Sequence, residues 1–253
     1  MLSKPSSVDL TIVIPTYNEA KAIGDTLDKL ADYLKNYPLS VEVLIVDLHS
    51  PDNTAEVAQG YAKNFDKFHI IDAGSRPKGK FMKGKQVQMG MLAGKGRYVL
   101  FMDADLATPL KYLDSVRVLI EQRRPVGICV RDLDKSHKGV RKLISGFGNF
   151  LVQLLILPGI PDTQCGFKVF SHDAAQSVFP RQTISSWGFD MEILAIARQQ
   201  GYPIELIHVP DWHNEEKGSK FGGSPLKAAI QTFPDILKIK WGMLRGKYKK
   251  ASS

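Results

Sequence analysis

Two aspartates one residue apart, Asp103 and Asp105, end the apolar run in "YVLFMDADLATP" (98–109). In an extended segment residues i and i+2 point the same way. Their carboxylates therefore aim at one spot and repel, unless one is protonated or a cation lies between them. A hard divalent ion with oxygen ligands, Mg²⁺ or Mn²⁺, resolves the conflict, above all when it also holds a substrate diphosphate. Two further apolar runs end in polar clusters, "PTYNE" (15–19) and "VDLHSPD" (46–52). Three such ends in one chain point to a shared ligand site rather than to three unrelated loops.

The elements that must position these residues follow from hydrophobic periodicity. "LTIVIPTY" (10–17), "VEVLIVD" (41–47), "FHIIDA" (68–73) and "RYVLFMD" (97–103) are continuous apolar runs suited to buried strands. Helical patterns run from Glu19 to Leu34, from a Ser50 N-cap and Pro51 to Asn64, over 85–94, and onward from a Thr108 N-cap and Pro109. Strand–helix alternation at this spacing predicts βαβ units and a mostly parallel, doubly wound α/β sheet in one domain. Ligands bind such sheets at the carboxyl ends of the strands, where the acidic clusters lie.

Composition narrows the partners. The 253-residue chain carries a formal charge of +8 and a pI near 9.3, which favours an anionic ligand or surface. Two cysteines, Cys129 and Cys165, imply no disulfide framework and a reducing compartment. "MLSKPSSVDL" has no apolar signal region, and "FLVQLLILPGI" (150–160) is shorter than the ~18 residues needed to cross a bilayer. "GKFMKGKQ" (79–86) approaches the P-loop pattern, but Gln86 replaces the hydroxyl that would hold Mg²⁺. Lys78, Lys80, Lys83 and Lys85 are read instead as a cationic loop, solvated or folding over an anion. No dinucleotide fingerprint or zinc spacing occurs, and no aromatic-interleaved basic motif marks a nucleic-acid partner.

The ordered segments "IPTYNE", "VDLHSPDNT" and "KGKQVQMGMLAGKGRYVLFMDAD" resemble the motifs of family 2 inverting glycosyltransferases with the GT-A fold. "DTQCGFKVF" (162–170), "WGFDMEIL" (187–194) and "VPDWHNEEKGSK" (209–220) resemble the polyprenyl-phosphate sugar transferases, above all the dolichyl-phosphate glucosyltransferases, with the mannose synthases as close relatives. The resemblance implies a GT-A catalytic domain over 8–222 and a basic amphipathic segment over 223–253 suited to a membrane surface. Pro15, Tyr17, Glu19, Asp47, Lys85 and Asp103 would border the nucleotide. Asp105 would be the principal metal ligand, with Asp103 on ribose or a metal-bound water. Arg131, Arg141, Ser145, Lys168 and Lys220 would receive the acceptor phosphate. Asp162 and Asp190 would be catalytic, with Glu192 beside them. Leu48 departs from the family's second acid, and Ala107 stands where mannose synthases carry a glutamine.

The expected reaction moves a hexose, glucose from UDP-glucose, onto polyprenyl or dolichyl phosphate with inversion. The expected location is the cytoplasmic face of a membrane, held peripherally or by a membrane-anchoring subunit. Mannosyl transfer from GDP-mannose, a soluble acceptor, and a non-catalytic nucleotide-sugar-binding role stay open at this point.

Overall fold

Seven strands pair into one sheet in the order β3-β2-β1-β4-β6-β5-β7. The computed structural model describes residues 8–77, 80–132, 140–212 and 225–249, without the side chains of 140–147 and 225–231. The strands are β1 Leu10–Thr16, β2 Val41–Asp47, β3 Phe68–Asp72, β4 Tyr98–Met102, β5 Val126–Arg131, β6 Phe167–Ser171 and β7 Ile204–Val209. The helices are α1 Ile23–Leu34, α2 Thr54–Gly60, α3 Lys83–Ala93, α4 Tyr112–Glu121, α5 Val140–Leu155, α6 His172–Val178, α7 Phe189–Gln199 and α8 Pro225–Leu244. This is the single-domain, mostly parallel α/β architecture expected from the pattern.

Alternation along each strand sends side chains to two cores. Leu10, Ile12 and Ile14 of β1 join Leu100 and Met102 of β4 beneath α1, α2 and α4. Val13, Val99 and Phe101 face α3 and α5–α7 on the opposite side. With both faces covered, the central strands are apolar throughout, which is why they read as continuous runs.

β6 runs antiparallel to β4 and β5, pairing Met102 with Phe167 and Ile128 with Lys168. A reversed strand begins where its parallel neighbours end. Residues 162–166 therefore arrive at the carboxyl edge of β4 and β5, beside Asp103 and Arg131.

α3 reaches the same edge from the other side. It lies so close to the sheet that a Cβ on Gly90 would come within 2.2 Å of Val13 Cγ1. Buried Gln86 then donates its amide to both the Thr16 and Val46 carbonyls, at 2.6 and 2.8 Å, tying the ends of β1 and β2 together. The residue that spoils the P-loop pattern is thus a clamp on the strand ends.

Two helix starts differ from expectation. Ser50 does not cap α2; its N–H and hydroxyl both donate to Asp47 at 2.7 Å, and the helix begins only at Thr54. Thr108 does not cap α4, which begins at Tyr112; its hydroxyl lies 3.5 Å from Cys165 Sγ. A partner outside the helix takes each side chain: the strand-end Asp47 three residues before Ser50, and the distant Cys165 for Thr108.

Replacing Gln86 by Leu removes two buried hydrogen bonds at nearly constant volume. The expected loss is about 1–3 kcal/mol of stability, read as a lower urea midpoint with unchanged slope. An unchanged midpoint would show that the strand ends do not depend on this clamp.

Candidate active site

The carboxyl edge of the sheet is where the backbone is strained. Of the five left-handed non-glycine residues among those described, four, Asn18, His49, Asn53 and Leu106, follow β1, β2 or β4, and the fifth, Arg123, precedes β5. Leu106 is the costliest, since a branched side chain disfavours φ of 53°. This turn separates the Asp103–Asp105 pair from α4, and the Ala107 N–H closes it by donating to Asp105 Oδ1 at 3.0 Å.

Asp103 is held from three directions. Its own N–H donates to the Gly166 carbonyl at 3.1 Å. Gly166 is bare by necessity, because a Cβ there would stand 2.0 Å from Asp103 Oδ2. The Lys83 ammonium, from the first residue of α3, pairs with Asp103 Oδ1. Burial alone would lower Lys83, but Asp103, Asp190 and Asp105 together hold it above the ordinary lysine value, so it is charged. Asp105 lies at the rim, where desolvation and then the Asp103 charge push its carboxyl above the usual range. The like-charge conflict expected from spacing is therefore present in the fold.

Across the cavity stands Arg131, at the end of β5. Its Nε donates to Asp162 Oδ2 at 2.6 Å and its Nη2 to Oδ1 at 3.0 Å, a bidentate fork. The Arg131 and Gln164 N–H groups also donate to Asp162, at 3.1 and 3.0 Å. Burial would raise Asp162, but the Arg131 fork outweighs it and holds the carboxyl below the usual range. The guanidinium lies 4.9 Å over the Trp212 ring. Trp212 follows Asp211, which Lys111 at 2.6 Å and the Tyr112 hydroxyl hold down to about 2. Asp103, Asp105, Arg131, Gln164, Gly166 and Trp212 share one cavity of about 80 Å³.

The other expected residues divide. Asp47 is buried and accepts from Thr16 Oγ1 at 2.8 Å and from Ser50, so it shapes the edge of β2. Pro15 is buried at the end of β1, and Tyr17 lies 4.5 Å beneath the Arg76 guanidinium. The Glu19 backbone N–H donates to Thr54 Oγ1 at 2.9 Å, and Lys85 Nζ donates to the Ala73 carbonyl at 3.0 Å. Lys168 is a correction. Its side chain is 0% exposed and bonded to Asp190 and to the Cys165 carbonyl at 2.6 Å, so it cannot meet an acceptor phosphate. Asp190, its partner, is buried in the first turn of α7 and pushed upward by desolvation. Glu192 is fully buried and accepts from Thr183, Ile184 and the Tyr248 hydroxyl, a structural knot rather than a base. The side chains of Arg141 and Ser145, and the whole of Lys220, lie outside the described residues. Gln164, Gly166 and Trp212 were not singled out by sequence reasoning, although each lies inside a quoted motif, and Lys83 entered only as one of four lysines expected to form a cationic loop.

Two neighbouring carboxylates with no nitrogen or sulfur ligand suit a hard divalent cation whose remaining positions come from substrate and water. Among the described residues no cluster of three or more His, Cys, Asp or Glu could hold a metal.

Residues 11–179 match the family model described as "Glycosyl transferase family 2". The chain belongs to that family. This family 2 glycosyltransferase is 31% identical to the dolichyl-phosphate beta-glucosyltransferase of Dictyostelium discoideum, over 96% of this chain and 77% of that protein. It is 32% identical to the Homo sapiens protein of the same name, over 95% and 77%. Among solved structures it resembles glucosyl-3-phosphoglycerate synthase from Mycobacterium tuberculosis, crystallised with Mn²⁺, UDP-glucose and phosphoglyceric acid. That match has TM-score 0.69 and 17% identity, covering 93% of this chain and 80% of that one. Mannosyl-3-phosphoglycerate synthase from Rubrobacter xylanophilus aligns with TM-score 0.66 and 16% identity, over 95% and 73%. The fold is the GT-A architecture that the motifs implied.

Asp162→Ala would strand a largely buried guanidinium. The expected cost is about 3–5 kcal/mol. Much of it should be recovered in the Arg131→Met/Asp162→Met double variant, which would still transfer no sugar. Because the folded carboxyl titrates below its ordinary value, the wild-type pair contributes fully above that value and is lost as pH falls through the folded one. Denaturant melts between pH 2 and pH 7 on both proteins check this, since the double variant should lose that part of the acid dependence.

Proposed function

We propose that this protein transfers glucose from UDP-glucose to dolichyl phosphate, or to a related polyprenyl phosphate, with inversion at C1. One observation carries the reading: a carboxylate pair and an oriented guanidinium line the same cavity. Carboxylates that can hold a cation and a guanidinium that can hold an anion suit the phosphate-bearing ends of two substrates meeting at one place. The donor diphosphate belongs beside Asp105 and Asp103, and the acceptor phosphate beside Arg131. The names of the sequence relatives support the choice of sugar and acceptor.

A phosphate monoester is already an anion near neutral pH, so its attack on C1 needs no strong base. This agrees with Asp162, whose lone pairs are spent on Arg131 rather than left for a proton. Asp162 fixes the guanidinium, Trp212 supports its face, and Arg131 uses its remaining donors to aim the acceptor oxygen. A divalent ion bound by Asp105 and Asp103 would neutralise the departing diphosphate. Lys83 supplies a second positive charge at the same place.

A lipid acceptor requires a lipid-facing surface. Phe233, Leu237, Trp241 and Leu244 form an exposed stripe along one face of α8, and Phe150 and Leu154 are exposed on α5. The two helices meet, with Lys240 Nζ donating to the Leu155 carbonyl at 2.8 Å. Lys238, Arg245, Lys247 and Lys249 follow the stripe, and Arg245 lies 4.4 Å over Trp241. We read this as a surface that lies on an anionic bilayer with its rings and leucines in the interface. No described helix is long and apolar enough to cross a membrane.

Radiolabelled transfer to a short-chain polyprenyl phosphate, from a panel of UDP- and GDP-sugars, tests the reaction. UDP-glucose should be preferred, and Asp105→Ala should lower turnover by roughly two to three orders of magnitude. Transfer confined to water-soluble acceptors would refute the lipid assignment. Separately, Leu237→Glu/Leu244→Glu should reduce sedimentation with anionic vesicles by roughly tenfold or more per residue while UDP binding stays intact. Unchanged sedimentation would place the lipid-facing surface elsewhere.

A further inference from the structure

We propose that Lys83 is an internal counterion of the donor site. It occupies Asp103 while the site is empty and passes to the donor diphosphate on binding, so that metal and nucleotide bind as one coupled event. The proposal rests on the nucleotide-sugar reading above.

The arrangement of charge leads to it. Asp103, Asp105 and Asp190 face two ammonium groups, Lys83 and Lys168. Lys168 is fully buried and fixed between Asp190 and the Cys165 carbonyl. Lys83 differs: its side chain is 22% exposed, and its pair with Asp103 lies at the edge of the cavity. A lysine is a compact charge on a flexible four-carbon stem, so it can change partners without moving its backbone. That backbone is itself fixed, since α3 is held by Gln86 and by the Gly84 N–H, which donates to the Ser185 carbonyl at 3.0 Å.

A divalent ion arriving alone must compete with this ammonium for Asp103. It would gain Asp105 and water, and it would leave Lys83 with no anion of equal strength. The diphosphate removes the conflict, because it offers oxygens to the metal and a new acceptor to Lys83. Each ligand thereby favours the other. Such coupling is reciprocal and commonly lies in the range of roughly 5–150-fold.

Neutralising Lys83 should break the coupling in a direction that simple damage would not produce. Mn²⁺ binding is counted by the electron paramagnetic resonance signal of the free ion, with and without UDP, in wild type, Lys83→Met, Lys83→Gln and Lys83→Arg. Wild type should bind Mn²⁺ weakly alone and roughly tenfold or more tighter with UDP. Lys83→Met and Lys83→Gln should bind Mn²⁺ alone roughly tenfold tighter than wild type, gain less from UDP, and bind UDP itself more weakly. Lys83→Arg, which keeps the charge, should behave as wild type. Either neutral variant, if folded by circular dichroism, decides the matter. Unchanged or weaker metal-only binding overturns the proposal, as does a wild type in which UDP does not tighten Mn²⁺. The metal-only arm uses no sugar and no acceptor, so it stands or falls independently of which transfer reaction the radiolabel assay finds.

Discussion

Two like charges at the end of a buried strand organise this molecule. Asp103 and Asp105 follow β4 directly, and desolvation, then the Asp103 charge, push the Asp105 carboxyl upward. The surrounding elements can be understood as the means of tolerating that pair. α3 brings an ammonium to one side, which requires a helix with glycine against the sheet and a glutamine across the ends of β1 and β2. β6 runs against its neighbours and so delivers Gly166, whose missing side chain leaves room for the Asp103 carboxylate. Because β6 is reversed, it is the segment before the strand, residues 162–166, and not the one after it, that meets Asp103 and Arg131.

Two ion pairs close to the cavity are buried, and burial of charge is expensive. Arg131–Asp162 and Lys168–Asp190 each give up hydration that their mutual attraction only partly returns. An apolar replacement would serve stability as well, so their value lies in fixing orientation. Arg131 must present a guanidinium in one plane, and the Asp162 fork together with Trp212 leaves it little rotational freedom. Lys168 joins the segment carrying Gly166 to the first turn of α7. Glu192, two residues further along α7, binds the 183–184 loop and Tyr248 together and so holds the end of the described chain against the domain.

Much of this was legible in the residues. Strands buried on both faces announce themselves as unbroken apolar runs, and the acidic ends of three of them locate the site on any doubly wound sheet. What was not legible is what tertiary contact decides. Ser50 and Thr108 have the chemistry of helix caps, but Asp47 and Cys165 lie closer to their side chains than the helices do. Lys168 has the charge of a phosphate ligand. Only the pairing of "FKVF" between β4 and β5 shows that this lysine is inside the protein. Lys83 was one of four lysines in a short segment, and spacing alone cannot say which of them meets a carboxylate. Gln86 looked like a defect in one motif because its actual partners, two strand-end carbonyls, leave no trace in sequence.

The exposed stripe on α8 and the donor site are joined by a short series of contacts. Asp235, on α8, accepts from Ser186 Oγ at 3.0 Å and from the Gly188 N–H at 3.2 Å. Between them Trp187 stacks on Phe81, ring centroids 3.9 Å apart and nearly parallel, and Phe81 stands two residues before Lys83. Contacts of this kind transmit a change only where one link has two arrangements. Asp235 fixes the 186–188 segment to α8, and the Trp187–Phe81 stack ties that segment to the residues just before α3, so α8 and the start of α3 are positioned by one contiguous set of contacts.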